Sequence, residues 1–317
     1  MTTRCRTLIV VLITLLNTAC TERTETPAAS GATPLSIQLD WVPEPEFGGY
    51  YAAREQGVFS AAGLEVDLRP GSPGVPVLQL VEAGKADFGI TSGDSLLIAR
   101  ARGADVIALF AVYQTFAQGI MVHAERGLHS LEDVFASGTL AIEPGTPVLK
   151  VLERRYGLGK IKVVPYNNTL APFLHDPSFA QQCYVTAEPI SARRAGARPQ
   201  VFALSETGYN PYGGVLFTRR TTLANHPEQV AALINGLRDG WRRYLNDPTA
   251  TNAVMHHLNP AMDTDTFAEA ARIQTPLIDT GGTLGTMDAE RWRALAEQLR
   301  EIGQLKSTDI EGAFVNP

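Results

Sequence analysis

Two hydrophobic rhythms alternate along the first third of this chain. Short apolar runs with strand character ("LSIQLD" from Leu35, "LEVDLRP" from Leu64, "ADFGIT" from Ala86 and "DVIALFAVY" from Asp105) are separated by stretches with helical spacing. "GYYAAREQGVF" reads as a helix that stops near Gly57. "GVPVLQLVEAGK" sets Val77, Leu80 and Val81 on one face, and "SGDSLLIARARG" opens on a capping residue. The fourth run is apolar at nearly every position, as a strand buried in a parallel sheet requires. Alternation of this length predicts an α/β domain with right-handed crossovers.

A second unit of the same kind follows. "LHSLEDVF" reads as a short helix capped by Ser130, with Asp133 three residues on. "GTLAIEPG", "IKVVPY" and "QQCYVTAEPISARRAG" supply strands and strand-to-helix turns, and "PVLKVLERRYG" supplies a helix. After the apolar strand "YGGVLFTRR" come four helical segments in a row, ending in "DAERWRALAEQLREIG". Helices without a sheet of their own must cover one already made. The pattern therefore predicts a discontinuous first lobe (35–120 and 212–317) and a continuous second lobe (121–211). Two crossings are expected, near "FAQGIMVH" and "NPYGGVLF".

The chain's start bears on location. Arg4 and Arg6 precede the apolar run Leu8–Leu16, which is too short to span a bilayer, and small residues follow. Residues 1–19 are therefore expected to be a secretory signal. With Thr18 and Ala19 before Cys20, the segment resembles a bacterial lipoprotein signal that would leave Cys20 lipidated. Asn17 departs from that pattern, which carries leucine there. Residues 20–34, rich in Thr, Ala and Pro, read as a flexible tether. Cys5 leaves with the signal, so Cys183 stands alone in the exported body and no internal disulfide is expected. The net charge of −6 over 317 residues argues against a nucleic-acid partner.

In order along the chain, "LDWVPEPEFGGYYAAREQGVFSAAGLEVDL", "GSPGVPVLQLVEAGKADFGITSGDSLLIARARG", "VYQTFAQGIMV", "SLEDV", "YVTAEP", "GYNPYGGVLFTRR" and Gly240-Trp241 resemble the periplasmic substrate-binding proteins of ABC importers. The resemblance is to the branch handling nitrate, alkanesulfonates, taurine and thiamine-pyrimidine precursors, and it spans nearly the whole exported body. It implies a type II periplasmic-binding-protein fold, two α/β lobes closing on a small molecule. It also implies a permease with its ATPase as partner, a monomer, and no cofactor. The alternatives are a binding protein for a small anion such as a sulfonate or nitrate, and a sensing lipoprotein with the same ligand chemistry.

In open α/β sheets ligands lie beyond the carboxyl ends of the strands. After the first strand come Asp40, Trp41, Phe47, Gly48 and Tyr50, where Trp41 and a tyrosine are placed to sandwich a flat ring and the glycines to admit a backbone N–H. Packed inward, the same aromatics would serve only the core. Ser92 follows the third strand; Tyr113 and Gln114 follow the fourth. In the second lobe Glu143, Thr146 and Glu188 follow strands, and Tyr212 flanks the second crossing. These loops are aromatic and acidic (Asp40, Glu44, Glu46, Asp94, Glu143, Glu188), with no Arg or Lys among them. A sulfonate or nitrate calls for basic groups or bare helix termini. Carboxylates with rings suit a planar nitrogen heterocycle carrying N–H donors, such as a thiamine-pyrimidine precursor or a flavin. The same fold carries a thiamine-pyrimidine synthase with a cysteine-rich motif, which this chain lacks. His256 and His257 are adjacent and diverge around a helix, and the other histidines are dispersed, so no metal site is expected.

Overall fold

The predicted alternation builds two five-stranded sheets. The computed structural model describes residues 31–317; the signal-like segment, Cys20 and most of the tether lie outside the described residues. The first lobe begins with β1 (Thr33–Gln38), α1 (Gly48–Glu55), α2 (Val58–Ala61), β2 (Leu64–Arg69), α3 (Val77–Glu82), β3 (Phe88–Thr91), α4 (Gly93–Ala101) and β4 (Val106–Tyr113). The second contains β5 (Gln118–His123), α5 (Leu131–Phe135), β6 (Thr139–Ile142), α6 (Pro147–Tyr156), β7 (Lys162–Pro165), α7 (Ala171–His175), β8 (Phe179–Tyr184), α8 (Glu188–Arg194) and β9 (Pro199–Ala203). The chain returns through β10 (Gly213–Arg219) to α9 (Arg220–Asn225), α10 (Pro227–Asn246), α11 (Thr249–Leu258), α12 (Thr264–Ile278) and α13 (Ala289–Glu301).

The sheets share one plan. Strand order is β2-β1-β3-β10-β4 in the first and β7-β6-β8-β5-β9 in the second. In each, the strand that enters from the other lobe runs antiparallel to both neighbours: β10 between β3 and β4, β5 between β8 and β9. β4 is buried at all eight positions. Its outer edge is closed by the chain's end, where the Ala108 N–H donates to Ala313 O (2.9 Å) and the Val315 N–H to Ala108 O (3.0 Å). An edge covered in this way offers no template to another strand.

The first crossing, expected near "FAQGIMVH", takes only the start of that stretch. Gln118–His123 is β5, an interior strand of the second sheet, and the crossing is confined to residues 114–117. The second crossing runs over 204–212, and Gly213 already belongs to β10. Arg291 of α13 ties the two together. It donates to the carbonyls of Gln114, Asn210 (2.9 Å) and Pro211 (3.0 Å), while its guanidinium lies 3.8 Å over the Tyr212 ring. Asn210 Oδ1 accepts from the Phe116 N–H at 2.8 Å, linking crossing to crossing directly.

Candidate functional site

The loop after β1 crosses the carboxyl edge of the first sheet and is held rigidly. The Gln38 side-chain amide donates to the carbonyls of Leu39 (3.0 Å) and Arg69 (3.2 Å), and the Gly71 N–H donates to Trp41 O (2.8 Å). Pro43 and Pro45 limit its backbone, and Pro45 opens a single 3-10 turn, Pro45–Phe47, before α1. Buried Gln274 on α12 donates to Pro45 O (2.8 Å) and accepts from the Tyr113 hydroxyl (2.8 Å). One amide thus sets both the loop and the end of β4.

From the other lobe α8 presents Glu188 at its first position, where a carboxylate complements the helix N-terminus. Its Oε1 accepts from the Tyr166 hydroxyl (2.7 Å) and its Oε2 from the Tyr184 N–H (2.8 Å). The two lobes meet here. Burial raises the carboxyls of Asp40, to about 6, and of Glu44, to about 8, with the Glu188 charge adding to Glu44 and the Trp41 indole opposing as a hydrogen-bonding neighbour. Glu46 is pushed well above the usual range by burial first, then by Glu44, Asp40 and Glu188; burial also raises Glu188. Among the described residues none of these four carboxyls forms an ion pair.

Between the lobes lies a cavity bordered by Asp40, Glu46, Phe47, Tyr50, Tyr113 and Tyr184. It encloses about 10 Å³, about the room for one water molecule. Ligand pockets span roughly 300–1,000 Å³. A ring can therefore enter only if the lobes part. They are clasped at the rim by exposed pairs from α8 to α12, Arg193 to Glu269 (2.8 Å) and Arg194 to Asp263 (2.9 Å).

The candidates taken from sequence are placed unevenly. Asp40, Phe47, Tyr50 and Tyr113 border the cavity, with Phe47 and Tyr50 only 2% and 1% exposed; Glu188 acts on its carboxyls from across the cleft. Trp41 is half-buried on the rim of the first core. Gly48 was expected to admit a backbone donor, and instead makes room for helix packing: a methyl group there would overlap the Tyr244 ring, and one at Gly49 the Trp241 ring. Ser92 hydrogen-bonds Asp94 and Ser95, and Asp94 is bound in turn by the Tyr209 hydroxyl, a closed set within the fold. Gln114 donates to the carbonyls of Ala111 (3.0 Å) and Thr286 (3.2 Å), and Tyr212 accepts from the Asp288 N–H (2.8 Å) under Arg291, so both brace the crossings. Glu143 is exposed, and the Thr146 hydroxyl turns back to its carbonyl (3.1 Å). Their loop borders a separate open groove through Gly145 and Pro147.

Tyr166, Tyr184 and Gln274 were not among the candidates. The tyrosines stand at strand ends of the second lobe, where the rule that selected Glu188 also applied. Gln274 interrupts the apolar stripe Phe267, Ala270, Ala271 and Ile278 of α12, a polar residue on a buried face.

Known proteins agree with this architecture. The chain is 24% identical to the riboflavin-binding protein RibY of Chloroflexus aurantiacus over 96% of its length and 95% of that protein's. It is 27% identical to a formylaminopyrimidine-binding protein of Halalkalibacterium halodurans over 39% of this chain and 38% of that one. The periplasmic aliphatic sulphonate binding protein SsuA of Escherichia coli superposes with a TM-score of 0.70, covering 90% of this chain and 92% of its own, at 14% identity; that shows a shared fold. The family model described as NMT1/THI5 like matches residues 44–251. The chain belongs to the NMT1/THI5-like family, built on the fold of the periplasmic solute-binding proteins of ABC importers.

Proposed function

We propose that this solute-binding protein captures a small planar nitrogen heterocycle, either an aminopyrimidine of the thiamine-precursor kind or a flavin, and hands it to a membrane permease. The protein is exported and held at the membrane surface through Cys20. Binding occurs in the crevice between the lobes, with Trp41 and Tyr50 against the ring, and with Asp40, Glu46 and Glu188 accepting from its N–H groups. One observation carries this reading: carboxyl groups of both lobes converge among tyrosines, and among the described residues no basic side chain joins them. An anion such as a sulfonate would find no basic side chain to pair with among the residues bordering that cavity. The sole cysteine among the described residues, Cys183, is buried and its thiol is pushed up by that burial, which suits binding without covalent chemistry. Ligand favours the closed state by its higher affinity for it.

Isothermal titration against aminopyrimidines, riboflavin and alkanesulfonates tests the reading. A heterocycle is expected to bind, and Trp41→Ala to weaken it by more than about 1 kcal/mol with the fold intact, given typical aromatic contact energies. Tight sulfonate binding without heterocycle binding would end it.

A further inference from the structure

The carboxyls around the crevice lack a counter-charge. Asp40 and Glu46 border the cavity, Glu44 lies beside Glu46, and Glu188 faces them from the second lobe. Among the described residues every charge acting on Glu46 is another carboxylate, and no arginine, lysine or histidine acts on any of the four. Among the described residues no group of His, Cys, Asp or Glu is arranged to hold a metal ion. A second observation is independent of charge. The Tyr50 hydroxyl, on a residue only 1% exposed that borders the same cavity, has no hydrogen-bond partner among the described residues. A buried hydroxyl without a partner is costly in a folded protein unless something else engages it. Tyr113 and Tyr184 complete the border with a ring-centroid separation of 6.5 Å. Aromatic rings beside carboxylates are the surroundings that stabilise an organic cation, through the ring quadrupole and through direct charge.

We propose that the ligand is bound as an organic cation, its positive charge set beside Asp40 and Glu46 and its polar edge at the free Tyr50 hydroxyl. The inference rests on the reading that the interlobe crevice is the ligand site, and narrows it: a basic, protonated ring is preferred to a neutral one. The cation replaces the missing counter-charge and allows the lobes to close over ionised carboxylates. Glu188, held by Tyr166 and the Tyr184 N–H, supplies the second lobe's share of the attraction.

Calorimetry at pH 7 with three probes tests the inference: 4-amino-5-hydroxymethyl-2-methylpyrimidine as a basic ring, riboflavin as a neutral ring, and choline as a cation without a ring. The basic ring is expected to bind at least tenfold more tightly than riboflavin. Glu46→Gln, which imitates a protonated carboxyl, is expected to weaken it at least tenfold, and Asp40→Asn is a second variant should the first fail to fold by thermal melting. Riboflavin binding as tightly as the basic ring, or a basic ring indifferent to both substitutions, would overturn the cation and leave the heterocycle reading standing. Choline binding that depends on Glu46, with neither ring bound, would support the cation and remove the heterocycle. A folded wild-type protein that binds none of the three overturns both.

Discussion

Tyr50 carries a buried hydroxyl that the fold leaves without a partner among the described residues. Its ring packs edge-on against Trp241, with centroids 6.4 Å apart, and does the work of a core residue. Its hydroxyl adds nothing to that packing and stays unpartnered. Tyr50→Phe is expected to leave stability unchanged or raise it by up to about 1 kcal/mol, because an unpaired buried hydroxyl is removed. The same change is expected to weaken ligand binding. Urea denaturation and titration calorimetry on one preparation check both halves; a large loss of stability would mean that the hydroxyl has a structural partner. Such a residue is only half legible from sequence. Its place beyond a strand end marked it for the cleft, while its neighbours Trp241 and Asp40 come from distant or opposite directions along the chain.

Among the elements, the junction of α1 and α10 depends on glycine. Gly49 faces Trp241, and Gly240 packs on the Gly49 carbonyl and on Ala53, so the two helices approach at backbone distance. Gly49→Ala or Gly240→Ala is expected to destabilise the protein by roughly 1–3 kcal/mol, the usual range for overpacking. The denaturation midpoint should fall while the slope holds, and ligand affinity of the folded fraction should be unchanged; affinity lost at full stability would mean that the glycine acts at the site and not in helix packing. The strands fared differently. β4, apolar throughout, was plain in the sequence because burial on both faces leaves no polar alternation. β9 was not, since every one of its residues is half-buried at a sheet edge and no apolar run marks it. α5 was legible down to its cap, where Ser130 and Asp133 form the reciprocal capping box.

On the scale of the whole molecule, the interlobe carboxyls make closure sensitive to pH. Asp40 and Glu44 sit at about 6 and about 8, raised by burial and, for Glu44, by Glu188; parting the lobes is expected to hydrate them and to move Glu188 away, lowering both. The closed form then holds more protons than the open one, so raising the pH withdraws them and opposes closure. Closure is expected to be strongest below about pH 4 and to weaken as the pH rises through the titration of Asp40 near 6 and Glu44 near 8. The groups involved are Asp40, Glu44 and Glu46 of the loop, Tyr50 of α1, Tyr113 of β4, Tyr166 beyond β7, Tyr184 of β8 and Glu188 of α8. The rim pairs are not the source: Asp263, held low by the Thr266 N–H, stays ionised through this window. Small-angle scattering of the unliganded protein is expected to give a larger radius of gyration at pH 8.5 than at pH 5. Glu44→Gln should shrink that difference, and a radius independent of pH would refute it. The rim pairs are exposed and worth about 0–1 kcal/mol each, so added salt should favour opening only modestly.

Much was written in local order. Hydrophobic period placed most strands and the terminal helices, and the rule of strand ends placed Asp40, Tyr50, Tyr113 and Glu188 near one crevice, because both depend on residues close in sequence. Which strand entered each sheet antiparallel, which aromatics faced Trp241 or Tyr244 and which faced the cavity, and that Glu44 and Glu46 would lie against Glu188 depended on the lobes meeting. Side-chain environment is set by neighbours more than a hundred residues away, and a chain read in order carries no record of those contacts until it has folded.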